Sequence, residues 1–163
     1  MTAGNPDRQI DATIPAGDSI VLDTSTVIGY LNASEEISSV ARVILDRLVA
    51  TERNEAVISS ITVAEVLVRP MRDLGHVPSH TKTFLLAFPG LSIRSADFLV
   101  AAEAAAIRAQ TGAALPDALV AATATLTSSR WLITNDRVLR DRLSGLDWQT
   151  TVLLLSEITI PGA

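Results

Sequence analysis

The chain carries five short apolar runs, most without polar alternation: Ser19-Ile20-Val21-Leu22, Ala56-Val57-Ile58-Ser59, Leu91-Ser92-Ile93, Trp131-Leu132-Ile133-Thr134 and Thr151-Val152-Leu153-Leu154-Leu155. A strand with one wet face alternates. Unbroken runs of this length fit strands covered on both faces, as in a parallel sheet between helical layers. Right-handed crossovers in such a sheet bring every strand-to-helix junction to one edge, the edge where open α/β sheets bind ligands.

The segments between the runs read as helices. Val27, Ile28 and Leu31 begin a short one, and Ile37, Val40, Ala41, Ile44, Leu45 and Leu48 follow the amphipathic spacing over 37–48. A helix opening at Ser60 is expected to stop near Pro70, with 71–79 a loop containing Gly75 and Pro78. A short helix through Phe84-Leu85-Leu86 follows, and Pro89-Gly90 turns the chain into the third strand. Ser95 is expected to cap an Ala-rich helix over 96–110, closed by Gly112. Leu115-Pro116-Asp117 opens the next helix, and Val138 to Leu143 forms a short last one. The alternation implies an α/β domain over 19–157, preceded by a loose arm at 1–18 and followed by a tail at 158–163.

Composition narrows the function. There is no cysteine, which removes disulfides, thiolate zinc sites and cysteine nucleophiles. The arm holds Gly4, Pro6, Pro15 and Gly17 and no apolar core, so it is neither a signal peptide nor a membrane span. The expected location is the cytoplasm. A net charge of −5 argues against nonspecific nucleic-acid binding through a broad basic face. It is compatible with a nuclease whose own acids lower the total. All but one of the 13 basic residues are arginine, the residue suited to paired phosphate contacts, Lys82 being the exception.

Asp23, Glu65 and Asp136 follow directly on strands, and Asp117 opens a helix after a loop. Each has a structural explanation. Asp23 and Asp136 fit helix N-caps, Thr62-x-x-Glu65 fits a capping box, and Asp117 after Pro116 complements a helix dipole. Their joint placement suggests more. Carboxylates meeting at one edge repel unless protons or cations intervene, and an all-oxygen set suits Mg²⁺ or Mn²⁺. His76 and His80 have no ligand spacing and read as surface residues, while Trp131 and Trp148 read as packing.

The pieces Val21-Leu22-Asp23-Thr24-Ser25, Ile61-Thr62-Val63-Ala64-Glu65-Val66, 115–124 with Asp117, and Leu132-Ile133-Thr134-Asn135-Asp136 occur in an order that resembles the PIN-domain ribonucleases, particularly the VapC toxins of bacterial toxin–antitoxin pairs. The resemblance implies a three-layer α/β/α domain with a parallel five-stranded sheet, and an endoribonuclease dependent on Mg²⁺ or Mn²⁺. It assigns Asp23, Glu65, Asp117 and Asp136 to the metal, with Asp141 a competitor for the last place. Thr24, Ser25, Thr134 and Asn135 would support those acids or position a water. Arg69, Arg72, Arg137 and Arg140 are candidates for RNA phosphates, with solvated helix-end charges as their plain alternative. A cognate antitoxin and a homodimer are further implications.

Two other readings fit parts of the chain. Val21-Leu22-Asp23-Thr24-Ser25-Thr26 superficially matches a haloacid-dehalogenase-type phosphatase, but Ser25 stands where such enzymes carry a second Asp and Lys82 follows no strand. A non-catalytic PIN-like module that binds RNA or protein is the other.

Overall fold

The computed structural model describes residues 10, 12–34 and 36–158. Its centre is a five-stranded sheet formed by β1 (Ile20–Leu22), β2 (Ala56–Ser59), β3 (Leu91–Arg94), β4 (Trp131–Thr134) and β5 (Thr151–Leu154). The spatial order is β3-β2-β1-β4-β5 and every pairing is parallel. The expected three-layer α/β/α architecture is what the chain adopts. β1 is central because it is apolar on both sides: Ile20 and Leu22 enter one core, while Val21 enters the other. In β4, Leu132 and Ile133 divide in the same way.

One layer contains α1 (Thr24–Leu31), α2 (Ser38–Arg42), α3 (Ser60–Leu74) and α4 (Ser79–Ala87). Their apolar residues, among them Val27, Val66, Phe84 and Leu85, pack on the Ile20 side. The other layer is α5 (Phe98–Thr111), α6 (Leu115–Leu126) and α7 (Arg137–Leu143), contributing Val100, Ala104, Ala118, Ala121, Leu139 and Leu143. Almost every core side chain is aliphatic, which a chain of 4% aromatic residues requires.

Several boundaries differ from the sequence expectation. α3 does not stop at Pro70 but runs to Leu74, where Gly75 adopts the left-handed conformation and its N–H donates to Met71. Pro70 removes one intrahelical donor near the end of a helix whose Val66 is anchored in the core, and that packing outweighs the loss. Asp97, rather than Ser95, caps α5, its Oδ1 accepting the Val100 N–H at 3.0 Å. α2 continues as a π-helical stretch over Val43–Val49, visible in the bond from the Ala50 N–H to the Leu45 carbonyl at 2.7 Å.

The expected loose arm is replaced, in its described part, by a docked segment. Ile10 and Ile14 are buried in the core. Asn54 Nδ2 donates to the carbonyls of Pro15 and Asp18, both at 2.8 Å, and Trp131 Nε1 donates to Asp18 Oδ2 at 2.8 Å. The spacing of Ile10 and Ile14, one helical turn apart, was the available signal. The rest of that arm, and the tail beyond Ile158, lie outside the described residues. Among the described residues no helix is long and apolar enough to cross a membrane.

Gly90 closes the turn into β3 with φ +71°, and a Cβ there would drive into the Val49 carbonyl. Gly90→Ala therefore combines left-handed strain with a backbone clash. It should lower stability by about 2–4 kcal/mol, measurable as a drop in the urea midpoint at unchanged slope.

Candidate active site

β1 is flanked by β2 on one side and β4 on the other, so the chain leaves it in opposite directions and opens a crevice beyond the carboxyl ends of β1 and β4. Asp23 leaves β1 at this point. It holds the N-cap position of α1 with extended backbone, yet its side chain makes no capping bond. Instead Asp23 Oδ2 accepts hydrogen bonds from Thr134 Oγ1 at 2.7 Å and Ser25 Oγ at 3.0 Å. The residue is only 7% exposed, so these two hydroxyls replace much of the water its carboxylate has lost.

Those hydroxyls are oriented from β4. The Asp136 N–H donates to Thr134 Oγ1 at 3.0 Å, and the Asn135 N–H donates to Ser25 Oγ at 2.8 Å. Each hydroxyl thus accepts a hydrogen bond from a backbone N–H and donates its own to Asp23, a chain in which the bonds polarise one another. Thr26 Oγ1 adds a bond to the Ile133 carbonyl at 2.9 Å, fastening α1 to the same strand.

Glu65 reaches the edge from α3. The capping box expected with Thr62 is not formed, because Ser59 caps the helix by accepting from the Ile61 N–H at 3.3 Å. Glu65 Oε2 accepts instead from Thr24 Oγ1 at 2.5 Å. Asp136 does cap α7: its Oδ1 accepts from the N–H groups of Val138 at 2.8 Å and Leu139 at 3.0 Å. That cap and a role at the edge are compatible, since both bonds use one carboxylate oxygen.

Asp117, in the first turn of α6, faces the other three acids. Burial first, then the charges of Asp23, Asp136 and Glu65, push its carboxyl from the ordinary 3.8 up to about 6, while the Arg142 guanidinium pulls the other way. Asp141 takes no part in this coupling and pairs with Arg140 at 3.2 Å. Among the described residues no three acids stand close enough to clasp an ion as they are. They meet within electrostatic reach rather than at ligand distance, as mutually repelling carboxylates should.

The donor chemistry fits a hard divalent cation. Four carboxylates, with hydroxyls behind two of them, make an oxygen-only set. Asn135 Oδ1, on the same edge, is buried and lacks a hydrogen-bond donor. The arginine candidates divide. Arg137 opens α7 beside Asp136, and Arg140 is paired with Asp141 and Glu157. Arg69 and Arg72 lie about 14 and 18 Å along α3 from Ser60, at the end away from the edge, both paired with Asp73. His76 contacts the Leu74 carbonyl, and neither exposed histidine joins the acids.

A family profile described as PIN domain matches residues 20–142, from the start of β1 into α7. This chain belongs to the PIN-domain family. Solved structures share the fold. A toxin–antitoxin complex from Klebsiella pneumoniae is 23% identical with a TM-score of 0.60, covering 83% of this chain and 97% of that one. FitAcB from Neisseria gonorrhoeae is 22% identical with a TM-score of 0.61, covering 85% and 99%. VapC20 of Mycobacterium tuberculosis, described as a toxin that cleaves the sarcin–ricin loop, is 14% identical with a TM-score of 0.58, covering 69% and 86%. No curated protein matches the chain.

The Asp117 environment makes a stability prediction for this PIN domain without divalent metal. Its folded pKa lies above the unfolded one, so stability falls as pH rises from about 4 to about 6 and stays lower above that. Asp117→Asn removes the repulsion. The variant should be more stable than the parent at pH 7 by about 1 kcal/mol, a figure reduced for the half-exposed position, with the gap closing near pH 4. Urea unfolding in chelator at the two pH values measures it, and a gap independent of pH would contradict this account of the acids.

Proposed function

We propose that this PIN-domain protein is a metal-dependent endoribonuclease, acting in the cytoplasm as the toxin of a toxin–antitoxin pair. The observation that carries the reading is the coupling of Asp117 to Asp23, Glu65 and Asp136 at the point where the sheet opens. In this reading the four acids hold Mg²⁺ or Mn²⁺. A bound divalent ion would supply charge cover for the phosphate oxygens and make water a better nucleophile.

The protein's own groups prepare that edge. Thr134 and Ser25 keep the Asp23 carboxylate fixed, and Thr24 does the same for Glu65, so neither has to reorganise when substrate arrives. Asp117, pressed by the charges of the other three acids, completes the set of carboxylates that would hold the ion. In the proposed hydrolysis, water oxygen bonds to phosphorus as the bond to the 3′ oxygen breaks. That oxygen takes a proton, and the products carry 5′-phosphate and 3′-hydroxyl ends. Arg137, exposed beside Asp136, is available to an RNA phosphate.

Two surfaces support protein partners. On α5 only Val100, Ala104 and Ile107 are buried, while the opposite stripe, Phe98, Ala102, Ala105, Ala106 and Ala109, is exposed and apolar. A helix apolar on both sides calls for cover, which supports the homodimer. A cavity of about 490 Å³ among Tyr30, Leu31, Arg42, His80, Phe84 and Phe88 supports an antitoxin segment with apolar side chains. Membership of the PIN family sets the phosphatase reading aside.

Purified protein incubated with total RNA and Mn²⁺ or Mg²⁺ should cut at discrete positions with the end groups given above. Chelation should stop cleavage, and Asp23→Asn and Asp117→Asn should each reduce it by at least about 100-fold while remaining folded by circular dichroism. Full cleavage by both variants, or in chelator, sinks the mechanism. RNA binding without cleavage would establish the non-catalytic module instead.

A further inference from the structure

A hollow of about 490 Å³ lies between α1, α4 and the π-helical stretch, in the layer opposite α5 and α6. Its floor is aromatic. The centroids of Tyr30 and Phe84 are 5.2 Å apart, those of Phe84 and Phe88 5.0 Å, and those of Tyr30 and Phe88 5.6 Å, so the three rings brace one another. The Tyr30 hydroxyl donates to Asp46 Oδ1 at 2.8 Å. Burial first, then the bond to Asp46 and its charge, push the phenol up to about 12, so it remains a donor and keeps Asp46 engaged.

The rim carries a charge that no acid answers. Arg42 is exposed and lines the hollow, and among the described residues its side chain makes no hydrogen bond or ion pair. It stands at the entry to Val43–Val49, where the helix widens to the π form, a feature that recurs at functional sites. A second hollow, of about 370 Å³, shares Leu31 and His80 with the first. The two form a groove rather than a closed chamber. A small ligand fills a chamber, whereas a groove suits a length of polypeptide.

We propose that this groove reads a two-part signal in the antitoxin segment: a large apolar side chain seated on the three rings, and an acidic side chain beside it that meets Arg42. The inference rests on the antitoxin reading above and deepens it, naming the charge the partner must carry. The apolar part supplies affinity, since an anchor gains most in a pocket whose walls are already packed. The acidic part supplies selection, because a cationic rim attracts a carboxylate and repels a lysine or arginine in the same place. Asp46 does not cancel this preference: its Oδ1 is taken by the Tyr30 hydroxyl, whereas the donors of Arg42 are open.

The test titrates isotope-labelled protein with two capped peptides, acetyl-Glu-Trp-Leu-Leu-amide and acetyl-Lys-Trp-Leu-Leu-amide, following backbone amide shifts by NMR in the parent, Arg42→Gln and Arg42→Glu. Shifts should gather at residues 30–31, 42–46 and 83–88, with the Glu peptide binding the parent on the order of fivefold tighter than the Lys peptide. Arg42→Gln should level the two, and Arg42→Glu should reverse their order. Arg42 is exposed, so both variants should keep the parent's spectrum away from the hollow. Equal binding of the two peptides to the parent, or an order that Arg42→Glu leaves unchanged, overturns the proposal while the antitoxin reading stands. If neither peptide moves these amides, the reading of this hollow as a segment site falls as well. If adenosine monophosphate or rising protein concentration moves them instead, the hollow belongs to a nucleotide or to a second copy of the chain, and the proposal is again overturned.

Discussion

The repulsion among acids gathered at one end of a covered sheet is the constraint around which this molecule is arranged. Both faces of the sheet are sealed by helices, so the crevice at its carboxyl edge is where polar side chains can converge. Asp23 is the deepest of them and depends most on its neighbours. Without the hydroxyls of Ser25 and Thr134, its carboxylate would be buried with little to replace water. Those hydroxyls are in turn aimed by the backbone of residues 135 and 136. The pairing of β1 with β4 therefore fixes the strand ends and the hydrogen-bond network together.

Each acid is supported differently, and the differences divide the work. Asp23 and Glu65 are tethered by hydroxyls, Asp136 spends one oxygen on a helix cap, and the charge of Asp117 is opposed by the other three. Three carboxylates are held by local bonds while the fourth feels the sum of their charges. Any positive charge added at such an edge relieves the repulsion.

The sheet and the acids were legible because both depend on local pattern. Apolar runs located all five strands, and topology brings Asp23 and Asp136, just past β1 and β4, to one edge. What escaped depended on tertiary context. Pro70 reads as a stop because its cost is local, whereas the anchoring of Val66 that outweighs it is not. Arg69 and Arg72 are candidates for RNA phosphates by sequence, but α3 carries them away from the edge. Ser95 and Asp97 are equally good caps on paper, and the choice depends on where the chain leaves β3.

The docked segment ahead of β1 gives the two ends of the sheet different characters. Ile10 and Ile14 plug the amino end like a stopper, and Asn54 and Trp131 fasten the cord that holds it. Shortening the chain to the first strand would uncork that end while leaving every acid in place. The unit that keeps this end of the core covered therefore includes Ile10 and Ile14, upstream of the first residue of the sheet.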